Sequence, residues 1–431
     1  MKKLTMIDVF SIALGSIIGW GAFMLPGDKF LPEAGIINTL LGLLLGAVAI
    51  LIIENSFKYM VSTHFEDGGG FSFTYKRLGK QHGFICGWFL SLAYLSIVPL
   101  NATAFPLVID KVLDGALKVL ELYQINGNPV YLGEVLVSTV VILIFAFINI
   151  RGIKNAGKIQ SYMTLFLVGI VMLIVGAMTF ETRASISSIA YISEYEFDFY
   201  EVFAIFSITP WAFIGFDAIS QLVNEFSFSR SKASQLSIFA ILFGLFVYVA
   251  MTFITGLIYP QGELGHLNWA TGEAVHTTLG YLPFLLLCLA LAFAVCSGVN
   301  GFFVATSKLL GSMNDYGVLP FGVNANRHVL LFITVISLIA PWFGREVLST
   351  IVDMSSIGAA IVYGYICFIT VKDAPLRKDK ILGSMGCVIS IVFILLLLVP
   401  NSPGVLDATA KTALGVWALI GVGYYLRAMK K

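Results

Sequence analysis

Apolar runs long enough to cross a membrane recur along the whole chain, separated by short polar joints. A bilayer span takes about 20 apolar residues. Such runs predict about twelve helices, at roughly 8–26, 34–60, 84–110, 133–150, 158–180, 200–227, 232–258, 281–314, 328–344, 346–371, 381–400 and 409–427. The start, Met-Lys-Lys and then an apolar stretch, has the outline of a secretion signal. Apolar runs continue to the C-terminus, however, which a cleaved leader on a secreted domain would not show. An even number of spans puts both termini on one side.

Composition narrows the class. Of 431 residues, 58% are hydrophobic and 12% charged, whereas soluble domains carry about 25% charged residues; a soluble enzyme of this size is excluded. A net charge of +1 leaves no basic field for nucleic acid. Cys86, Cys288, Cys296, Cys367 and Cys387 lie in or beside apolar runs, which indicates packing rather than a disulfide framework or a metal site.

The placement of basic residues sets the orientation. With the N-terminus inside, only Lys29, Lys111, Lys118, Arg183, Arg345 and Lys411 fall on outer joints, and the rest of the 26 Lys and Arg fall on inner ones. Positive residues are retained on the cytoplasmic face, so a multi-pass cell-membrane protein with both termini cytoplasmic is expected. The outer joint before the sixth span carries Glu181, Glu194, Glu196, Asp198 and Glu201, read as a solvated acidic loop. The stretch His64–His82 reads as a polar inner loop, and residues 259–280 as an outer loop with a short lid helix.

Two spans are interrupted. The first carries Gly15, Gly19 and Gly21 near its middle, and the sixth reads Ser207-Ile-Thr-Pro210-Trp211-Ala212-Phe-Ile214-Gly215-Phe-Asp217. Gly and Pro clusters at mid-depth mark places where backbone unwinds around a cavity. Paired interruptions in corresponding helices of two halves point to the midplane site of a secondary transporter built from inverted repeats. The first and sixth spans are five apart, which fits a five-plus-five repeat. Half-helix N-termini attract an anion and the preceding carbonyls a cation, so a zwitterion's carboxylate and ammonium match the two kinds of end.

Several of these strings resemble those of a known family. Gly15-Ser-Ile-Ile-Gly19-Trp20-Gly21-Ala22-Phe23 resembles the helix 1 signature of the amino acid/polyamine/organocation (APC) superfamily. Gly68-Gly69 with Phe71, Phe73 and Gly79 resembles its inner-loop motif. Trp211-Ala-Phe-Ile-Gly-Phe-Asp217 is similar to the helix 6 string of arginine/agmatine-type antiporters, and the stretch from Asn300 to Pro320 to the exit motif of helix 8. The resemblance implies an all-α integral membrane protein with a leucine-transporter-like five-plus-five inverted repeat and two extra C-terminal helices. Residues 1–371 would form the ten-helix core, with repeats at about 8–180 and 200–371, and residues 372–431 the two accessory helices.

The resemblance further implies that a substrate α-carboxylate meets backbone N–H groups at Trp20, Gly21 and Ala22, beside Gly19. The α-ammonium would meet carbonyls of Ile17, Trp211 and Ile214, next to Ala212, with Trp211 as an aromatic gate. Asn101 falls where the antiporters place a residue that reads the substrate's side chain; an interhelical hydrogen bond is the alternative. Two departures stand out. Trp20 replaces a small residue of the signature. The position of the lysine that replaces sodium in many sodium-independent relatives is Leu167, counted from Gly157.

Among the other ionisable groups, Asp217 lies just past the sixth-span break and is expected to gate or sense protons. Asp353 is a candidate for the outer vestibule. Glu54 and Glu225, near inner helix ends, are expected to partner nearby Lys or Arg, and the five histidines to lie at the surface. No metal-ligand spacing and no phosphate-binding loop is present, so no cofactor is expected. The expected function is a symporter or exchanger of amino acids or related amines, driven by a proton or sodium gradient. Ser297 and the first-span carbonyls leave sodium open. The alternative is a transport-inactive sensor or assembly partner on the same fold.

Overall fold

A computed structural model describes residues 3–113, 115–125, 127–182, 197–264, 266–267, 269–323 and 325–428, with the side chains of 345–349 and 351–353 outside the description. The chain is about 83% helical. Its elements are α1 (Met6–Ile18), α2 (Gly21–Leu25), a π-helical turn (Pro26–Phe30), α3 (Leu31–Thr63), α4 (Gly69–Leu78), α5 (Lys80–Leu113), β1 (Glu121–Ile125), β2 (Asn128–Tyr131), α6 (Leu132–Ile150) and α7 (Ile153–Glu181). After them come α8 (Phe199–Ala212), a 3-10 segment (Phe216–Glu225), α9 (Ser231–Gly256), α10 (Gln261–Leu264), α11 (Ala270–Leu279), α12 (Tyr281–Asp315), α13 (Ala325–Ile339), α14 (Gly344–Asp373), α15 (Arg377–Leu398) and α16 (Ala408–Ala428).

Among the described residues ten helical runs are long and apolar enough to cross a membrane. One of them, Met6–Thr63, joins the first two expected spans through the Pro26–Phe30 turn and a kink at Gly35, where φ is +59°. The last expected span, α16, is not among the ten. Exposed apolar faces on α7 (Leu165, Phe166, Leu173), α13 (Leu331, Val335) and α15 (Val388, Ile391, Leu395) would be unstable in water and suit lipid contact.

The breaks begin and end on recognisable local chemistry. Thr5 and Asp8 form a reciprocal capping box at the start of α1. That helix stops at Gly19, whose φ of +37° only glycine adopts at little cost. Asp198 caps α8 by accepting from the Tyr200 N–H at 2.7 Å. Pro210 removes one donor inside α8, and Gly215, with φ of +120°, turns the chain into the 3-10 segment. The acidic joint is described only at its ends, residues 183–196 lying outside the described residues; there Glu201 accepts from Asn38 at 2.6 Å.

Packing follows a regular scheme. The α1 helix packs on α7 and α9, and α8 packs on α14 and α3. The α5 helix packs on α6 and α14, and α12 on α13 and α7. Between them run the contacts α3 with α9, α5 with α12, and α6 with α13.

Several joints fold differently from the sequence expectation. The joint before α6 contains an antiparallel β1–β2 hairpin. The polar stretch His64–His82, expected to be a loop, folds in part into α4, entered through Gly68 (φ +98°) and Gly69 (φ +49°), where a side chain would strike Ser312 and Gln221. His64 is not at the surface: it is buried, with Nε2 2.9 Å from Ser72 Oγ and its ring against Phe73. Residues 259–280, where one short helix was expected, carry α10 and α11, and buried Trp269 ties them to α2 as its Nε1 donates to the Phe23 carbonyl at 2.9 Å.

Candidate functional site

The two breaks meet. Gly215 packs so closely on the end of α1 that a Cβ there would lie 2.5 Å from Ser16 Cβ. Gly244 of α9 faces Ile17 in the same way, and Gly301 of α12 faces Ser16. Small residues on three neighbours thus let the last turn of α1, just before the break, come close.

Between the breaks lies a cavity of about 10 Å³, room for about one water. Its walls are Ser16, Ile17, Ile18, Gly19, Trp20 and Gly21 from the first break, Ile97 and Asn101 from α5, Trp211 and Ile214 from the second break, Tyr248 from α9, and Phe302 from α12. No charged side chain is among them. Of the residues expected to bind substrate, Ile17, Gly19, Trp20, Gly21, Asn101, Trp211 and Ile214 line this cavity. Ala22 and Ala212 are buried behind it. The Asp353 side chain lies outside the described residues.

The two indoles dominate the space. Trp20 and Trp211 are tilted by 55° with centroids 5.8 Å apart. A Cβ on Gly21 would lie 2.7 Å from the Trp211 ring, so a glycine is what lets that ring fit. Asn101 accepts from the Trp20 backbone N–H at 3.4 Å and donates to the Ile97 carbonyl at 3.0 Å. It therefore holds the break itself while facing the cavity. Ser16 Oγ, Ser297 Oγ and Trp211 Nε1 are buried without a hydrogen-bond partner among the described residues. Such groups cost free energy until something pairs with them.

Asp217 does not line the cavity. One carboxylate oxygen accepts from the Gly215 N–H at 2.9 Å, and the other accepts from the Tyr94 hydroxyl of α5. The side chain thus closes the turn of the second break and ties the 3-10 segment to α5.

Sequence reasoning missed Gln160. Leu167 is fully buried and apolar, whereas Gln160 of α7 donates to the carbonyls of Ser11 on α1, at 3.1 Å, and Ser297 on α12, at 3.3 Å. Its own oxygen accepts from Asn300 at 2.8 Å. It stands two residues after Lys158, at the polar start of the fifth expected span, and carried no signal there. Phe302 entered only as part of the Asn300–Pro320 stretch, and Ile97 and Tyr248 carried no signal, because an aromatic or aliphatic residue in a membrane helix is unremarkable until the fold aims it at a cavity.

Both ends of the cavity are closed by packing. At the α11 end, Gly27 abuts Ala270, where a Cβ would lie 2.7 Å away, and Trp269 holds α2 through Phe23. At the α4 end, Lys308 of α12 bridges Asp67, at 2.9 Å, and Glu225. Asp67 also accepts from the Asn224 N–H at 2.9 Å, and Leu4 pairs through its backbone with Glu225 and Ser227. Glu225 therefore has a basic partner, as expected. Among the described residues no group of three His, Cys, Asp or Glu is placed to hold a metal.

A bundle of apolar helices with two unwound segments enclosing a small, uncharged cavity defines a multi-pass membrane carrier. The chain belongs to the amino acid permease family, whose profile matches residues 4–423, and so to the APC superfamily. It is similar to a branched-chain amino acid permease of Lactococcus lactis, with 24% identity over 98% of this chain and 94% of the relative. A branched-chain amino acid permease of Bacillus subtilis is 24% identical over 62% of this chain and 57% of its own length. A methylthioribose transporter of the same organism is 23% identical over 61% of this chain and 56% of its own length. The protein is accordingly an amino acid transporter and not an enzyme.

Proposed function

We propose that this protein is a secondary active transporter of apolar amino acids, working by alternating access in the cell membrane with both termini in the cytoplasm. The observation that carries it is the meeting of the two breaks at one cavity whose side-chain walls hold no charge. In such a pocket only backbone ends face the substrate's charges, and the remaining wall suits an aliphatic side chain. The α-carboxylate takes the N–H groups that open α2 at Gly21 and Ala22, and the α-ammonium takes carbonyls at Ile17, Trp211 and Ile214. Branched-chain amino acids fit this chemistry, and the names of two relatives agree.

The cavity holds about one water, so substrate enters only if an indole moves; Trp211, at the end of α8, is the gate. Asp217 is the second gating element, since parting the 3-10 segment from α5 requires breaking its bond to Tyr94. The ten-helix core, residues 1–371, consists of two five-helix repeats, about 8–180 and 200–371, with residues 372–431 accessory. Supporting this, the helix contacts map onto themselves when each span is advanced by five: α1 on α7 becomes α8 on α14, and α1 on α9 becomes α8 on α3.

The test is counterflow in liposomes loaded with unlabelled isoleucine, valine or leucine. Saturable entry of labelled isoleucine is expected. Tight binding without flux would instead identify a transport-inactive sensor. Neither binding nor flux of any of the twenty amino acids would sink the proposal.

A further inference from the structure

With Asp217 committed to Gly215 and Tyr94, the fold contains a second buried carboxylate that the gate leaves unused. Glu54 of α3 is 2% exposed, although the sequence placed it near a helix end beside basic partners. Its Oε1 accepts from Ser234 Oγ of α9 at 2.7 Å, and among the described residues no other hydrogen bond or ion pair to it is found. A second cavity of about 10 Å³ adjoins it, between α3, α9 and the 3-10 segment, with Phe216, Ile219 and Ser220 on the far wall. One hydroxyl and a water-sized space support a neutral carboxylic acid well and an ionised carboxylate poorly.

The surrounding charges do not change that balance. On its own helix, Lys58, one turn toward the α4 end, is exposed and lines the same cavity but forms no ion pair with Glu54 among the described residues, and Lys232 on α9 is exposed as well. The 3-10 segment offers Ser220, with Asp217 turned away to Tyr94 and Glu225 held by Lys308. From α14 comes Tyr363, in edge contact with Phe57, and from α15 Asp379, which accepts from Asn55 at 3.2 Å. On the α4 side stand His64, bound to Ser72, and Arg77, bound to Asp373.

We propose that Glu54 is the proton-carrying residue of the transport cycle. The proposal rests on the transporter reading above. While α3, α9 and the 3-10 segment are packed together, the side chain holds its proton as a carboxylic acid. When they part toward the cytoplasm, water reaches it, the O–H bond breaks, and the proton leaves to cytoplasmic water while the carboxylate keeps the electron pair. On the return half of the cycle the carboxylate takes a proton from water admitted when the opposite side opens, before α3, α9 and the 3-10 segment pack together again, so the proton travels with the substrate.

The experiment uses the full chain in liposomes enclosing a pH-sensitive dye, with isoleucine as probe. Wild type is expected to acidify the lumen as isoleucine enters. Glu54→Gln, which mimics the protonated form, should retain isoleucine counterflow while acidification falls to the protein-free background. Acidification by Glu54→Gln at the wild-type rate overturns the proposal, as does a wild type that carries isoleucine without acidification. A wild type without counterflow of any amino acid fails the transporter reading itself, which the counterflow arm reads separately. Should Glu54→Gln fail to fold, Ser234→Ala takes its place: it removes the one hydrogen bond and is expected to displace the pH profile of uptake. An unchanged profile overturns the proposal.

Discussion

Trp20 and Trp211 approach each other from two different helix breaks, their rings 5.8 Å apart and tilted by 55°, and together they occupy the space between those breaks. Aromatic pairs favour such tilted geometry, so the closed cavity is held by a contact between the two rings. Trp20, the residue that departs from the family's small-residue signature, is therefore part of the cavity wall and not turned away from it.

Replacing that ring should widen the pocket. Trp20→Ala is expected to shift preference from valine toward larger apolar side chains by about tenfold or more, since one methylene in an apolar pocket is worth about 1–3 kcal/mol. Competition of unlabelled amino acids against labelled isoleucine uptake measures it, and an unchanged order of preference would show that the ring does not bound the substrate.

The approach of the two breaks depends on Gly215. Gly215→Ala adds a Cβ at φ +120° and 2.5 Å from Ser16 Cβ. Strain and overpacking should each cost about 1–3 kcal/mol, lowering the melting temperature in detergent and the uptake rate together. Gly169→Ala, on α7, where a Cβ would meet nothing within 4 Å, is the matched control and should leave both unchanged.

Lys308 is the tie at the α4 end. Lys308→Met leaves Asp67 and Glu225 facing each other without their shared cation, and a cost of about 2–4 kcal/mol is expected, because removing one partner strands the other charges. Adding Asp67→Asn to Lys308→Met should recover part of that loss. Thermal unfolding of the single and double variants measures the coupling; additive losses would count against it.

His64 supplies a pH dependence outside the membrane spans. Burial pushes its pKa down from 6.5 to about 4, with the Glu66 charge opposing and the Lys76 and Arg77 charges adding to the shift. The unfolded chain takes up a proton on this ring near pH 6.5 and the folded chain does not, so its contribution is complete above that pH and is lost as pH falls toward 4. Glu66, held below the usual carboxylate range by hydrogen bonds from Lys76 and Tyr316, adds a further loss on the more acid side. In melting curves between pH 4 and 7.5, His64→Gln should flatten the slope from 4 to 6.5, and an identical slope would refute the assignment.

Apolar runs made the membrane class and most helix positions legible in the sequence, because a span must satisfy its own backbone in lipid and only a long apolar helix does so. The breaks were legible for a local reason as well: Gly19, Pro210 and Gly215 act on their own backbone, whatever surrounds them. What the sequence could not determine is which side chains those breaks bring together. Asp217 faces Tyr94 and not the cavity, Gln160 rather than Leu167 bridges α1 and α12, and Glu54 is sealed between α3 and α9. Each depends on the rotation of one helix against another. That rotation is set by the packing of small residues such as Gly21, Gly244 and Gly301 against bulky neighbours hundreds of positions away or on a different span, and only the tertiary structure decides it.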